Sequence, residues 1–451
     1  MDATTMAADP AYLTAAQTAT ALGVTLPTLY AYVSRGLLAS EAVPGDPRAR
    51  RYRREDVERL QARQELRRHP EKAAPRALAW GEPVLDSALT LIDGQRLYYR
   101  GRDAVELSRR LSLEQVAALL WTSDEAAARE LFASAVGAEA HEAATSVIAR
   151  GEAPWRSRPS RLLRRSAPRN DGKPSAIGVV RPLSPVERIQ AWLPIAGAGD
   201  DAAWDLRAPA VARCGARILA GATAVVANRE LHNGGLVATL AAGWNPRGRG
   251  ARAALSAALI LCADHELNVS TFAARCAASA EATPWDAVAA GLAALKGRRH
   301  GGESFRMDGL LRAVAAEAPG PTGAAAAVST WLRSGERLPG FGHRLYPAGD
   351  PRAAELLALA ERAAPGSPAL RRVQALRAAV RELTGELPNL DFGIAALATA
   401  LRLPAGAPQA IFALGRTIGW IAHAIEEYGR GALIRPRARY VGAPPQAPLP
   451  S

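Results

Sequence analysis

From residue 183 to 295, Ala, Leu and Val recur at helical spacing and β-branched runs are few, so this chain commits its body to helices. Against that frame four polar clusters stand out. CADHELNVSTFAAR (262–275), read as one helical run, puts His265 and Asn268 three residues apart on one face. LKGRRHGGES (295–304) ends in His300-Gly301-Gly302, where two glycines remove side-chain bulk beside an imidazole and let a ligand approach the backbone. GFGHRLYPAGDPR (340–352) holds His343 and Arg352, and PNLDF (388–392) holds Asp391. A histidine on an apolar face is usually a core residue; one in a glycine-flanked polar turn points to chemistry. Asp391 admits a second reading, as a helix N-cap after Pro388-Asn389. Arg416, Trp420 and His423 fall at i, i+4 and i+7, one helical stripe in which the aromatic anchors the arginine, or a core face with an incidental charge.

Taken together, DHELN.ST, LKG..HGG, GFGH.LY..GDPR, PN.DF, GRTIGWIAH (415–423) and RPR (435–437) have the order and spacing of the citrate synthase family, which the chain resembles from about residue 80 to 445. The resemblance implies a mainly α fold. A large helical domain would take about 80–265 and 380–451, and a smaller one 266–379, with the active site in a cleft that closes to exclude water. It implies condensation of acetyl-CoA with oxaloacetate and hydrolysis of the thioester to give citrate and CoA. Asp391 is then the base that takes a methyl proton, neutral His300 the donor to the thioester oxygen, and His343 the group that polarises the ketone. His265, Arg352, Arg416 and Arg435 carry over as binders of the oxaloacetate carboxylates, Arg435 from a neighbouring subunit. The family implies a homodimer or an assembly of dimers. It implies no metal and no tightly bound cofactor, the coenzyme A thioester being a substrate.

Residues 11–66 form a separate basic module, with 1–70 as its domain and a proline-punctuated linker over 71–79. Thr14 caps a helix through Leu22, Gly23 turns the chain, and Thr25 with Pro27 opens a second helix. PGDPRARRYRRED then carries Arg48, Arg50, Arg51, Arg53 and Arg54 around Tyr52 before a third helix opens at Asp56. This resembles the winged helix-turn-helix of MerR-type regulators and phage excisionases. In that reading Thr28, Tyr30 and Tyr32 lie on the recognition helix and the arginines grip DNA phosphates; a protein-contact module is the alternative. LDSALTLIDGQRLYYRGRD predicts a β-hairpin around Asp93-Gly94, and the Arg- and Pro-rich stretch 152–182 predicts an extended surface loop.

The net charge is +13, carried almost wholly by arginine, with lysine only at 72, 173 and 296. Such a field favours anionic partners without choosing among carboxylates, phosphates and DNA. Cys214, Cys262 and Cys276 are too scattered for a disulfide framework or a zinc site. With no uninterrupted apolar span of membrane length and no basic-then-apolar leader, the expectation is a soluble cytoplasmic protein. Two departures from the family pattern bear on substrate and rate: Arg298 where proline is usual, and Glu303 where the side chain is usually small. Glu303 is expected to raise the pKa of His300 or to repel a carboxylate. Two rivals to citrate synthesis remain, 2-methylcitrate synthesis from propionyl-CoA and a DNA-binding regulator whose synthase-like body senses a metabolite.

Overall fold

A computed structural model describes residues 11–34, 38–43, 46–58, 60, 85–133, 183–438 and 440–443, with the backbone alone at 46–48. The expected linker 71–79 and the expected loop 152–182 lie outside the described residues. The chain divides into two units, Met1–Asp86 and Ser87–Ser451.

In the first unit, β1 (Tyr12–Thr14) leads into α1 (Ala15–Leu22) and α2 (Leu26–Ser34), followed by β2 (Glu41–Val43) and β3 (Asp46–Arg53). The sheet order is β1-β3-β2, all antiparallel, so the expected wing is the β2–β3 hairpin. The local signals hold. Thr14 accepts from the Gln17 amide and Gln17 returns a bond to Thr14 N, while Gly23 takes the left-handed conformation at φ +63°. Thr25 opens α2 through its carbonyl, which accepts from Leu29 N at 2.9 Å. Leu22, Leu29, Leu38, Tyr52 and Val57 form the core that holds helices against sheet.

The second unit opens with the expected hairpin, β4 (Thr90–Asp93) against β5 (Arg96–Tyr99), with Gly94 at φ +57° in the turn and a short β6 (Arg102–Asp103) beside it. The other elements described in this unit are helices, confirming the mainly α expectation. Good caps define the boundaries: Ser112 with Gln115, Ser184 with Glu187 and Thr283 with Asp286 each close a reciprocal box. The axis of the body is α17 (Ala407–Arg430), buried without a break from Ala407 to Ala424. Its glycines matter because a neighbouring segment lies flush against them. A Cβ at Gly415 would meet the Leu259 carbonyl oxygen at 2.4 Å, and one at Gly419 would meet that of Ala263 at 2.4 Å. The segment after α9 (Ala251–Leu261), where His265 sits, is thereby drawn onto α17. Among the described residues one helix, α7 (Ala208–Ala227), is long and apolar enough to cross a membrane, but it is a core helix buried over nearly its whole length.

Candidate active site

His265 does not lie on a helix. The helical run breaks at 262–268, and Asn268 instead caps α10 (Val269–Ser279), its Oδ1 accepting from Ser270 N and Thr271 N at 3.1 and 3.2 Å. Asparagine competes with the helix for its own backbone donors, which is why the break falls there. Between them Glu266 adopts φ +53°, a left-handed conformation unusual for its type. The β4–β5 hairpin holds this loop. Thr90 Oγ1 donates to Asp264 Oδ2 at 2.6 Å, Ile92 N donates to Glu266 Oε1 at 3.3 Å, and Tyr99 OH bonds the backbone of Ile260 and Asp264.

His265, His343 and Tyr346 form a ring cluster: the two imidazoles are 5.2 Å apart, and His265 Nε2 lies 3.2 Å from Tyr346 OH. Arg352 packs beside it, its Cζ 5.4 Å from the Tyr346 ring. The Arg352 fork is partly taken, since Nε and Nη2 bind Asp350 at 3.0 and 2.8 Å. Asp350 also caps α14 (Pro351–Ala363) and accepts from Leu390 N, so it locks the arginine to the start of α16 (Leu390–Leu401). The Nε–Nη2 edge of Arg352 is thereby committed to Asp350, which leaves Nη1 as its open end.

Arg416 is 1% exposed, and its Nε donates to the Cys262 carbonyl at 2.9 Å. Among the described residues no acceptor holds its terminal nitrogens. The aromatic at its guanidinium is Phe412, one turn back, with Cζ 5.0 Å from the ring, not Trp420 as the stripe suggested. Trp420 Nε1 is directed instead to Ser270 Oγ at 3.2 Å. His423 serves a buried network: its Nδ1 accepts from Arg275, which always donates, so its Nε2 carries the proton toward Asp264 Oδ2 at 3.3 Å. Arg275 in turn pairs with the buried Glu427 at 2.7 Å.

His300 lies in the turn before α12 (Glu303–Ala316), its Nε2 2.9 Å from Ser270 Oγ. The glycines after it answer to the chain's own backbone: a Cβ on Gly302 would stand 2.8 Å from Arg298 Cα, and one on Gly301 2.7 Å from the Leu295 carbonyl. The close approach that requires glycine is internal. Asp391 sits in the first turn of α16, and Asn389 is the N-cap, accepting from Asp391 N at 3.0 Å. The capping reading of Asp391 thus passes to its neighbour, and the Asp391 side chain turns to Ser304 Oγ at 2.5 Å.

Electrostatics separate the groups. Burial, with Arg416 nearby, depresses His300 to about 4. Burial and Arg352 depress His343 to about 4, while burial with both arginines takes His265 well below its usual value. All three are neutral imidazoles at pH 7. Burial lifts Asp391 to about 6, with the Ser304 hydrogen bond opposing the rise and the Glu303 carboxylate adding to it. Glu303 thus acts on Asp391; His300 goes down, against the expectation that Glu303 would raise it. Its own carboxylate pairs with Arg306 at 3.3 Å.

Arg435 is not brought to this cluster. It lies exposed in the extended segment after α17, and among the described residues it pairs with none of these groups. Two surface clefts of about 410 and 560 Å³, one beside Asn245 and Arg252 and the other beside Arg229 and His232, contain no residue of the cluster. Among the described residues no group of three or more His, Cys, Asp or Glu is arranged to hold a metal ion.

A family model, citrate synthase C-terminal domain, matches residues 78–437. The chain belongs to the citrate synthase family. A citrate synthase of Haloferax volcanii is 31% identical over 381 residues, 80% of this chain and 94% of that protein. A Mycobacterium tuberculosis homologue is 40% identical over 202 residues, 43% of this chain and 52% of its own length, so the chain spans about half the length of the first curated relatives it matches. The family relatives include a 2-methylcitrate synthase of the same organism, 36% identical over 194 residues, 42% of this chain and 48% of that protein. The citrate synthase structure from Thermotoga maritima superposes with a TM-score of 0.62 at 26% identity, covering 82% of this chain and 96% of that one. A helix-turn-helix domain model matches residues 12–65.

In that module the wing arginines are not equivalent. Glu41 on β2 binds Arg51 at 3.2 Å and Arg53 at 3.0 Å, and Arg51 lies over the Tyr12 ring at 3.9 Å. Arg50 and Tyr30 are exposed, Thr28 and Tyr32 half-buried on α2, and the Arg48 side chain is outside the described residues. Sequence reasoning did not single out Asp350, Ser270, Ser304, Tyr346 or Glu41. Asp350 was findable, since Asp before Pro marks a helix start. Ser270, Ser304 and Tyr346 are ordinary until the fold joins residues 30, 87 or 81 positions apart, and Glu41 until β2 pairs with β3.

Proposed function

We propose that this chain condenses an acyl-CoA, foremost acetyl-CoA, with oxaloacetate and hydrolyses the thioester to citrate and CoA. One observation carries the reading. A fully buried arginine, Arg416, keeps terminal nitrogens that no described residue engages, beside three neutral imidazoles and a carboxyl near 6. A buried guanidinium without a partner is costly unless an anion completes it. A dicarboxylate spanning Arg416 and the open end of Arg352 meets that demand, with His265 at its side.

The chemistry follows from the protonation states. Asp391 is ionised above about pH 6 and is a stronger base than an ordinary carboxylate, so it takes the methyl proton of the acetyl thioester. Negative charge develops on the thioester oxygen, where neutral His300 donates a hydrogen bond. The enol carbon then attacks the ketone carbon of oxaloacetate as His343 donates to the ketone oxygen, and water cleaves the resulting thioester to release CoA. A body that served only as a sensor has no use for Asp391 tuned toward neutrality.

In this reading the body works as two lobes, a small one over 266–379 and a large one on either side of it, in a cytoplasmic homodimer where Arg435 completes the site of the second copy. The N-terminal module binds DNA through α2 and Arg50 more than through the paired Arg51 and Arg53. Thiol release from acetyl-CoA and from propionyl-CoA, each with oxaloacetate, tests the reading. Release from acetyl-CoA at the higher kcat/KM is expected. A preference for propionyl-CoA moves the chain to 2-methylcitrate synthesis, and no release from either overturns the enzymatic reading.

A further inference from the structure

Asp391 and Ser304 come from the first turns of two different helices, α16 and α12, which meet end-on at one carboxylate. Ser304 is 2% exposed, and its hydroxyl makes one described hydrogen bond, to Asp391 Oδ1 at 2.5 Å. Asp391 itself is half-buried, and among the described residues its Oδ2 has no partner. The start of α12 is fixed independently. Gly302 packs on Arg298 with no room for a side chain, and Arg306, one turn on, ties Glu303 at 3.3 Å to Glu336 at 2.9 Å. The start of α16 is fixed by Asn389 and by Asp350, which accepts from Leu390 N at 3.1 Å. Two rigid frames therefore set the Ser304–Asp391 distance, and the carboxyl has little freedom to turn.

We propose that Ser304 is the positioning residue of the base: its hydroxyl holds Oδ1 and so dedicates Oδ2 to the methyl proton of the acyl-CoA. A carboxylate rotates readily about its Cβ–Cγ bond, and proton abstraction from carbon needs one oxygen held in line with the C–H bond. A short bond to one oxygen supplies that alignment and favours the ionised form. Of the groups that act most on the carboxyl, Glu303, Asp350 and Arg352 are charged and Ser304 is a neutral donor. The proposal rests on Asp391 acting as the base and adds how its geometry is set.

Ser304→Ala tests it, with Ser304→Thr as the variant that keeps the donor. The Ala variant should lose about 10- to 100-fold in kcat, the scale of one hydrogen bond to a charged group, with oxaloacetate affinity and thermal midpoint unchanged. Its acid limb of kcat should move to higher pH, because the lost bond favoured the ionised carboxylate. With methyl-deuterated acetyl-CoA its primary isotope effect should rise as proton abstraction becomes slower than later steps. Ser304→Thr should restore most of the rate and return the limb. Wild-type kcat with an unmoved limb overturns the proposal, as does equal loss in both variants with a lowered thermal midpoint. If the Ala variant does not fold, Ser304→Cys keeps the size with a weak donor, and full activity there overturns it equally. Asp391→Asn run alongside separates the two claims. If it turns over normally, Asp391 is not the base; if it is dead while Ser304→Ala is normal, only the role of Ser304 falls.

Discussion

The wing of the N-terminal module and the site of the body both concentrate arginine, and they treat it in opposite ways. On the wing, Arg53 is 61% exposed and shares Glu41 with Arg51 in surface pairs. In the body Arg352 and Arg416 are 2% and 1% exposed; one is locked by Asp350, and the other keeps uncommitted terminal nitrogens. A surface pair exchanges with water and salt at little net energy, so its arginines can change partner. A buried guanidinium cannot leave, and whatever completes it must come in with matching charge. The same residue type is an adaptable contact in one unit and a buried, fixed cation in the other.

The sharpest way to break this contrast is at the base. Asp391→Asn keeps shape but cannot accept a proton, and turnover should drop about 10²–10⁴-fold, with oxaloacetate binding retained. Near-normal turnover would remove Asp391 from the chemistry. Next comes the receptor arginine. Arg416→Leu should weaken oxaloacetate binding by roughly 1.5–3 kcal/mol, the scale for a hydrogen bond to a charged group, with acetyl-CoA binding in the absence of oxaloacetate unchanged. Equal loss for both substrates sinks the assignment. Arg352 is a poorer probe, because its removal strands the buried Asp350 at a cost of about 3–5 kcal/mol.

A smaller effect should appear in pH. Asp391, lifted to about 6, must be ionised to act, so kcat/KM should fall about tenfold per pH unit below 6 and level off above it. His300 and His343, held down at about 4, stay neutral through that window and add no second limb there. An acid limb centred near 4 would contradict the placement of the base. The smallest effects belong to the wing. Arg50→Ala should flatten the log-log salt dependence of DNA binding by about 0.9, one phosphate contact, more than Arg51→Ala or Arg53→Ala. Glu41→Ala should tighten binding by releasing both paired arginines. Equal slopes for all three arginine variants would show that the Glu41 pairs do not persist on DNA. Removing residues 1–70 should leave condensing activity intact, and its loss would mean that the module stabilises the body.

Sequence alone determined the mainly helical class of this protein and most of its elements. Helical spacing, the Thr14 cap and the Asp93-Gly94 turn are local signals realised where they stood, apart from the helical run that breaks at 262–268. The polar clusters at His265, His300, His343, Arg352, Asp391 and Arg416 were legible because such side chains stand out amid apolar helices. What sequence could not supply is how those residues are held. That His265 leaves the helix, that Phe412 and not Trp420 lies at Arg416, and that Asp350 takes half of the Arg352 fork are decided only once the chain is packed. Protonation was equally out of reach, since burial holds the three histidines well below their usual value and lifts Asp391 to about 6. The Ser304–Asp391 bond joins residues 87 positions apart. Periodicity reaches a few residues along the chain, and only the packing of α12 against α16 brings these two together.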